Sequence, residues 1–185
     1  MIDDVLATAE TKMTKATEVL KKDLSGMRTG RASPALVENI RADYYGTPTP
    51  LNQMAGISAP DARMLIIQPW DKQAIPVIEK ALQKSELGLN PSSDGTVIRL
   101  NIPPLTEERR KDLVKVVKKR VEEGRIAIRN VRREALEKLR ELEKKKDLSE
   151  DDEKRAEKDL QTLTDRFIED VNTLGGNKET EVLES

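Results

Sequence analysis

Between residues 106 and 144, Lys111, Lys115, Lys118, Arg125, Arg129 and Arg132 follow one another at intervals of 4, 3, 7, 4 and 3 residues. On a helix turning about 100° per residue, those steps keep all six cations along one side, beside the apolar seam rather than opposite it. Arg133 widens the row, whereas Arg109 and Arg110 point elsewhere. A guanidinium donates two parallel hydrogen bonds and never loses its charge, which suits it to phosphate. A row several turns long matches a nucleic-acid backbone better than a small ligand. The same pattern also fits a solvated helix face laced with salt bridges. Against that stands the cluster Arg129, Arg132 and Arg133, where like charges crowd with no acid interleaved.

Other chemistry is sparsely represented. The 185 residues include no His and no Cys. That removes the usual transition-metal ligands, the commonest general base, and any Ser-His or Cys-His nucleophilic pair. Catalytic residues: none are expected, and no metal site or cofactor either. The acidic run Glu150–Glu153 lacks the glycine and ligand spacing of a calcium loop and reads as helix capping. Gly88–Thr96 has no Lys-Ser/Thr after its second glycine, so it is not a phosphate-binding loop. Tyr44, Tyr45 and Trp70 are the aromatics besides Phe167. Strand alternation would turn one tyrosine inward and one outward, so core packing is favoured over base stacking.

Charge is balanced overall, 33 basic against 34 acidic residues, yet it is segregated along the chain. Residues 1–106 carry 12 of each sign, residues 107–146 carry 16 basic and 9 acidic, and residues 147–185 carry 5 basic and 13 acidic. A nucleic-acid partner would therefore meet one element rather than a basic protein as a whole. No stretch approaches the ~20 apolar residues of a membrane helix and the N-terminus lacks a signal pattern, so a cytoplasmic protein without a membrane partner is expected.

The elements that must position the cations can be read from periodicity. Ile2, Leu6, Ala9, Met13, Ala16, Leu20, Leu24 and Met27 mark a first helix, stopped by Gly30. A second opens at the N-cap Thr106 and buries Leu113, Val117, Val121, Ile128, Val131, Ala135, Leu139 and Leu142, with Gly124 as a weak point. At roughly 40 residues it would be on the order of 60 Å long. A third runs from Ser149 through Ala156, Leu160, Leu163, Phe167, Val171 and Leu174 to Gly175. The first and third are each expected at about two-thirds of the middle helix's length. Each is apolar on one side only, so the three are expected to pack together.

Residues 31–105 change character. Ile40–Tyr45, Met64–Gln68 and Thr96–Ile102 read as strands, Gly46–Pro50 as a turn or edge, and Lys72–Leu87 as a helix starting near Ala74 because Pro76 belongs in a first turn. The fold class expected is α+β: a long three-helix bundle, of coiled-coil character, carrying an inserted small α/β domain of sandwich-like β/α/β type. The bundle is assigned to residues 1–30 plus 105–185 and the insert to 31–104. Two connections, Thr29-Gly30-Arg31 and Ile102-Pro103-Pro104, would allow rotation and limit twist. A fixed insert packed on the bundle end is the alternative.

Five segments then resemble one family: Arg28–Pro34 (RTGRASP), Tyr44–Leu51 (YYGTPTPL), Leu87–Pro91 (LGLNP), Pro103–Lys111 (PPLTEERRK) and Arg129–Arg133 (RNVRR). In that order they are similar to the bacterial ribosome recycling factors. The resemblance implies a bundle and a hinged domain in an L shape, similar in size to transfer RNA, acting as a monomer. It implies that the protein enters the ribosome after termination and, with elongation factor G and GTP, splits the subunits. Through the motifs it implies rRNA-binding roles for Arg28, Arg110, Arg129 and Arg132, and for Arg31 and Arg133, on the large-subunit RNA. It also implies a hinge at Gly30, Arg31, Pro103 and Pro104. The resemblance implies alanine in many members at the position of Gly124, a departure that bears on local helix stability. A helical adaptor that binds an acidic protein is the rival reading. An enzyme is a distant third.

Overall fold

The computed structural model describes residues 1–85 and 89–184; the expected motif and helix positions at Leu87 and Gly88 lie outside them. Among the described residues are four α-helices, α1 (Ile2–Ser25), α2 (Ile75–Lys84), α3 (Glu107–Lys144) and α4 (Glu150–Glu184). Six strands accompany them, β1 (Arg41–Tyr44), β2 (Thr47–Pro50), β3 (Ala55–Asp61), β4 (Met64–Pro69), β5 (Pro91–Ser93) and β6 (Ile98–Asn101). The chain divides into two compact units, residues 1–24 with 112–180, and residues 25–111 with 181–185.

The first unit is a bundle of α1, α3 and α4. Their one-sided apolar patterns meet in a shared core, where Ala9 of α1, Ala135 and Leu139 of α3, and Ala156 and Leu160 of α4 are all buried. Burying a leucine stabilises by roughly 1.5–3 kcal/mol, so the packing accounts for helices that would not persist alone. The helix starts follow the sequence signals. Thr106 Oγ1 accepts from Arg109 N at 3.1 Å, and Ser149 Oγ accepts from Asp152 N at 3.1 Å. Between α3 and α4 the chain turns through Lys146 at φ 61°, with Asp147 N and Leu148 N donating back to the Leu142 carbonyl.

Two helix ends differ from expectation. α1 stops at Ser25, before Gly30, and α4 does not stop at Gly175 but continues to Glu184. Nor is α4 two-thirds of α3; it has 35 residues against 38. Gly175 is a packing residue rather than a terminator, since a Cβ there would run into Val121 Cγ2 of α3. Absence of a side chain lets the helices approach, and the gain in packing outweighs the ~1 kcal/mol helix penalty of glycine. Gly124 is likewise buried, with the place of its missing Cβ 3.3 Å from Leu20 Cδ2 of α1.

The second unit holds a four-stranded antiparallel sheet in the order β3-β4-β6-β5 and a separate β1-β2 hairpin. Alternation buries Leu65 and Ile67 of β4 and Ile98 and Leu100 of β6, which form one core with Ile75, Ile78 and Leu82 of α2. Lys72–Ala74 forms a single 3₁₀ turn capped by Asp71, and α2 follows with Pro76 in its first turn. Strands β3 and β5 were not legible in advance. β2, with Pro48 and Pro50, pairs on one side only, where a missing N–H is tolerated.

Candidate nucleic-acid interface

The six candidate arginines fall into two groups, one in each unit. Arg129, Arg132 and Arg133 lie on α3 within the bundle, whereas Arg28, Arg31 and Arg110 belong to the unit of residues 25–111. Each group has its own surroundings.

On α3 the basic row is not uniform. The Glu122 carboxylate lies 3.0 Å from Arg125 Nη1 and 3.6 Å from Arg129 Nη1. Arg125 further donates from Nε and Nη2 to Asn172 Oδ1 of α4, at 2.9 and 2.7 Å. Its guanidinium is thereby clamped between two helices and largely spent on the fold. Arg132 is half-buried and donates from Nη1 to the neutral amide oxygen of Gln161 at 3.2 Å; that amide in turn donates to Asp165 Oδ1 at 2.8 Å. The Gln161 contact aims the guanidinium without cancelling its charge. Arg133 is exposed and makes no ion pair or side-chain hydrogen bond among the described residues. Of the arginines in the row, Arg132 and its neighbour Arg133 therefore keep the charge most available to a phosphate, with Arg129 partly neutralised.

Gln161 and Asn172 were missed from sequence. Both are neutral polar residues of α4 facing arginines of α3, and nothing in their sequence context sets them apart from the other neutral polar residues of that helix. Lys111, Lys115 and Lys118 are exposed, and Lys118 borders a cleft shared with Arg125, Asn172, Gly175 and Gly176.

In the other unit, the chain leaving α1 is tied down. Thr29 is buried and its hydroxyl donates to Glu181 Oε1 at 3.1 Å. Gly30 has φ 77°, and a Cβ there would come within 2.8 Å of Leu105 Cγ and 3.1 Å of Leu105 N. Arg63 donates to the Gly30 carbonyl, Ala32 N to the Ala62 carbonyl at 2.8 Å, and Ile102 N to the Arg63 carbonyl at 2.7 Å. Both connecting segments thus converge on the turn at residues 62–63. Arg28 and Arg110 are half-buried, and each has a buried Nε that no described protein atom accepts. Buried polar atoms without a partner are few in folded proteins. Arg31 is exposed. Arg28 also lines a cleft with Arg63, Asn90, Asn101, Pro103 and Pro104. Among the described residues no group of acidic side chains is arranged to hold a metal, and no helix is long and apolar enough to cross a membrane.

A helical bundle and a small sheet unit, with Arg132 and Arg133 free of ion pairs among the described residues of the longest helix, are the features to set beside known proteins. The family model for ribosome recycling factor matches residues 20–183. The ribosome-recycling factor of Thermomicrobium roseum is 55% identical over 184 residues, covering all of both chains. That of Carboxydothermus hydrogenoformans is 56% identical over 183 residues, covering 99% of each. Among solved structures, a solution structure of the ribosome recycling factor aligns with TM-score 0.82 at 48% identity, over all of this chain and 98% of that one. A second, of the T. thermophilus ribosome recycling factor with E. coli elongation factor G bound to the E. coli post-termination complex, aligns with TM-score 0.72 at 52% identity over 99% of each chain. The chain belongs to the ribosome recycling factor family.

Proposed function

We propose that this protein recycles ribosomes after termination, binding large-subunit rRNA through α3 and, together with elongation factor G and GTP, driving subunit separation and release from messenger RNA. The observation that carries the reading is the charge left open at Arg132 and Arg133 in a chain of this family. Arg132, Arg133 and Arg129 grip phosphates on the bundle. Arg28, Arg110 and Arg31 provide a second set of rRNA contacts, and the buried Nε atoms of Arg28 and Arg110 support it. The protein acts as a cytoplasmic monomer and catalyses no covalent step itself. The work comes from GTP hydrolysed by its partner.

The functional domains in this reading are residues 1–30 with 105–185 and residues 31–104, pivoting at Gly30, Arg31, Pro103 and Pro104. Gly30 supports the pivot because its backbone occupies a region where other residues are strained. Pro103 and Pro104 support it because they hold no backbone N–H that bending must break. Bending there acts on the hydrogen bond from Arg63 of the insert to the Gly30 carbonyl.

Sedimentation of post-termination ribosomes tests the whole. Subunits should separate only when this protein, elongation factor G and GTP are all present; separation without this protein, or none with all three, refutes the reading. With no native cysteine, a disulfide engineered between one residue of 1–30 or 105–185 and one residue of 31–104 tests the pivot. Locked protein should still pellet with ribosomes and fail to split them until reduced. Full splitting by the locked form refutes the pivot.

A further inference from the structure

The β1-β2 hairpin closes through a two-residue turn, Tyr45-Gly46, with φ 51° and 83°. Positive φ at both central positions is the type I′ pattern, for which Asn-Gly is the favoured pair. A tyrosine in the left-handed region is strained, and such strain persists only where the surroundings hold it and often where it serves a site. Nor does Tyr45 repay the strain by packing. It is 77% exposed, the most exposed large apolar side chain among the described residues, and Trp70 follows at 71%.

Tyr45 shares a carboxylate with the preceding tyrosine. Tyr45 and Tyr44 both donate their hydroxyls to Asp71 Oδ2, at 3.3 and 3.2 Å, and their rings meet edge to face with centroids 4.6 Å apart. Asp71 is itself fixed, since Oδ1 accepts from Gln73 N at 2.9 Å, and Trp70 is its neighbour in the chain. Asp71 makes no ion pair among the described residues. The result is a carboxylate held by two tyrosines and a backbone N–H, without an ion pair among the described residues, next in the chain to an exposed tryptophan.

We propose that Tyr45, Trp70 and Asp71 form a docking surface for a protein partner, and that the group received there is an arginine or lysine side chain of that partner. Ring faces carry negative quadrupole potential, and a carboxylate beside them adds to it, so the surface attracts a cation. Platforms for single-stranded RNA combine rings with positive charge instead, and here the charge hydrogen-bonded to the rings is of the wrong sign for phosphate. Rigid tyrosine and tryptophan anchors lose little side-chain freedom on binding, the property that enriches them at protein interfaces. The inference rests on the proposed ribosomal function, which supplies the setting in which the partner is met.

The test replaces Lys72, which is exposed beside Asp71, by the photoreactive residue benzoylphenylalanine, and irradiates the protein on post-termination ribosomes with elongation factor G and a non-hydrolysable GTP analogue. Cross-links to a protein component are expected. Tyr45→Gly should reduce them several-fold while leaving the unfolding midpoint unchanged or higher, because glycine adopts this backbone freely. Asp71→Asn, whose Oδ1 can still cap the turn while its amide NH2 donates to the tyrosine oxygens, should also reduce them several-fold. Cross-links to RNA, no cross-link from protein that does pellet with ribosomes, or variants that cross-link like the parent each overturn the surface. Failure to pellet at all overturns the functional reading instead, and the surface with it.

Discussion

Two stretches of α3 carry arginines at the same helical spacing and put them to different uses. Around Arg125 the guanidinium is met by Glu122 and by Asn172 of α4, so it joins helices. Two turns later Arg132 is met by a neutral Gln161 and Arg133 by nothing comparable, so their charge remains available. A row of cations therefore says less about binding than the neighbours that consume or spare each one. Surface ion pairs are individually weak, typically about 0–1 kcal/mol, but one that already satisfies a guanidinium leaves it a poorer phosphate ligand.

The strongest test of this contrast is Arg132→Ala. Ribosome binding should weaken about tenfold or more at low salt, and the salt slope should fall by about one counterion. Arg125→Ala should change binding by less than about threefold and lower bundle stability by ~1 kcal/mol, as expected for a lost hydrogen-bonded charge. Equal losses of binding from the two variants would erase the distinction. Pelleting across a salt series and urea unfolding provide both readouts.

Helix spacing sets which arginines are clamped, and the two bundle glycines probe it. Gly175→Ala should destabilise by roughly 1–3 kcal/mol, because the new methyl meets the β-branched and rotamer-locked Val121, and it should loosen Asn172 from Arg125. Gly124→Ala would crowd only the end of the Leu20 side chain, at 3.3 Å, with Val171 Cγ1 in ordinary contact at 3.6 Å, so its helix gain of up to about 1 kcal/mol should mostly survive. Thermal unfolding decides the matter, and two shifts of the same sign would contradict this assignment of the two glycines.

The subtlest effect lies at the start of α4. Glu153 is buried with Oε1 unpartnered; desolvation first, then the Glu157 and Glu143 carboxylates, push its pKa above the usual value, against a smaller opposing pull from Arg140. Folded protein therefore holds this proton more tightly than unfolded protein. Stability should fall as pH rises from the ordinary carboxylate pKa to the raised one, and be flat on either side. Glu153→Gln should flatten that slope and raise stability at neutral pH; an unchanged slope would place the titration elsewhere.

Much of this was readable in one dimension. The apolar stripes of Leu113, Val117, Val121 and Ile128, and of Ala156, Leu160 and Val171, are consequences of the 3.6-residue period, so the bundle and the side of α3 that carries cations follow from the chain alone. Caps at Thr106 and Ser149 are likewise local, since side chain and backbone partner lie three residues apart. Strands β3 and β5 were not legible, because Ala55–Asp61 and Pro91–Ser93 owe their pairing to β4 and β6 rather than to any alternation of their own.

What tertiary structure alone decided was the meaning of individual residues. Gly175 looks like a stop until Val121 is seen against it, and a glycine that ends a helix and one that lets two helices touch are identical in sequence. Arg125 and Arg132 are one residue type on one helix face, and they part company only because different side chains of α4, far along the chain, come to lie beside them. Periodicity is a local property of the backbone, whereas the fate of a charge depends on whatever long-range packing brings within hydrogen-bonding reach.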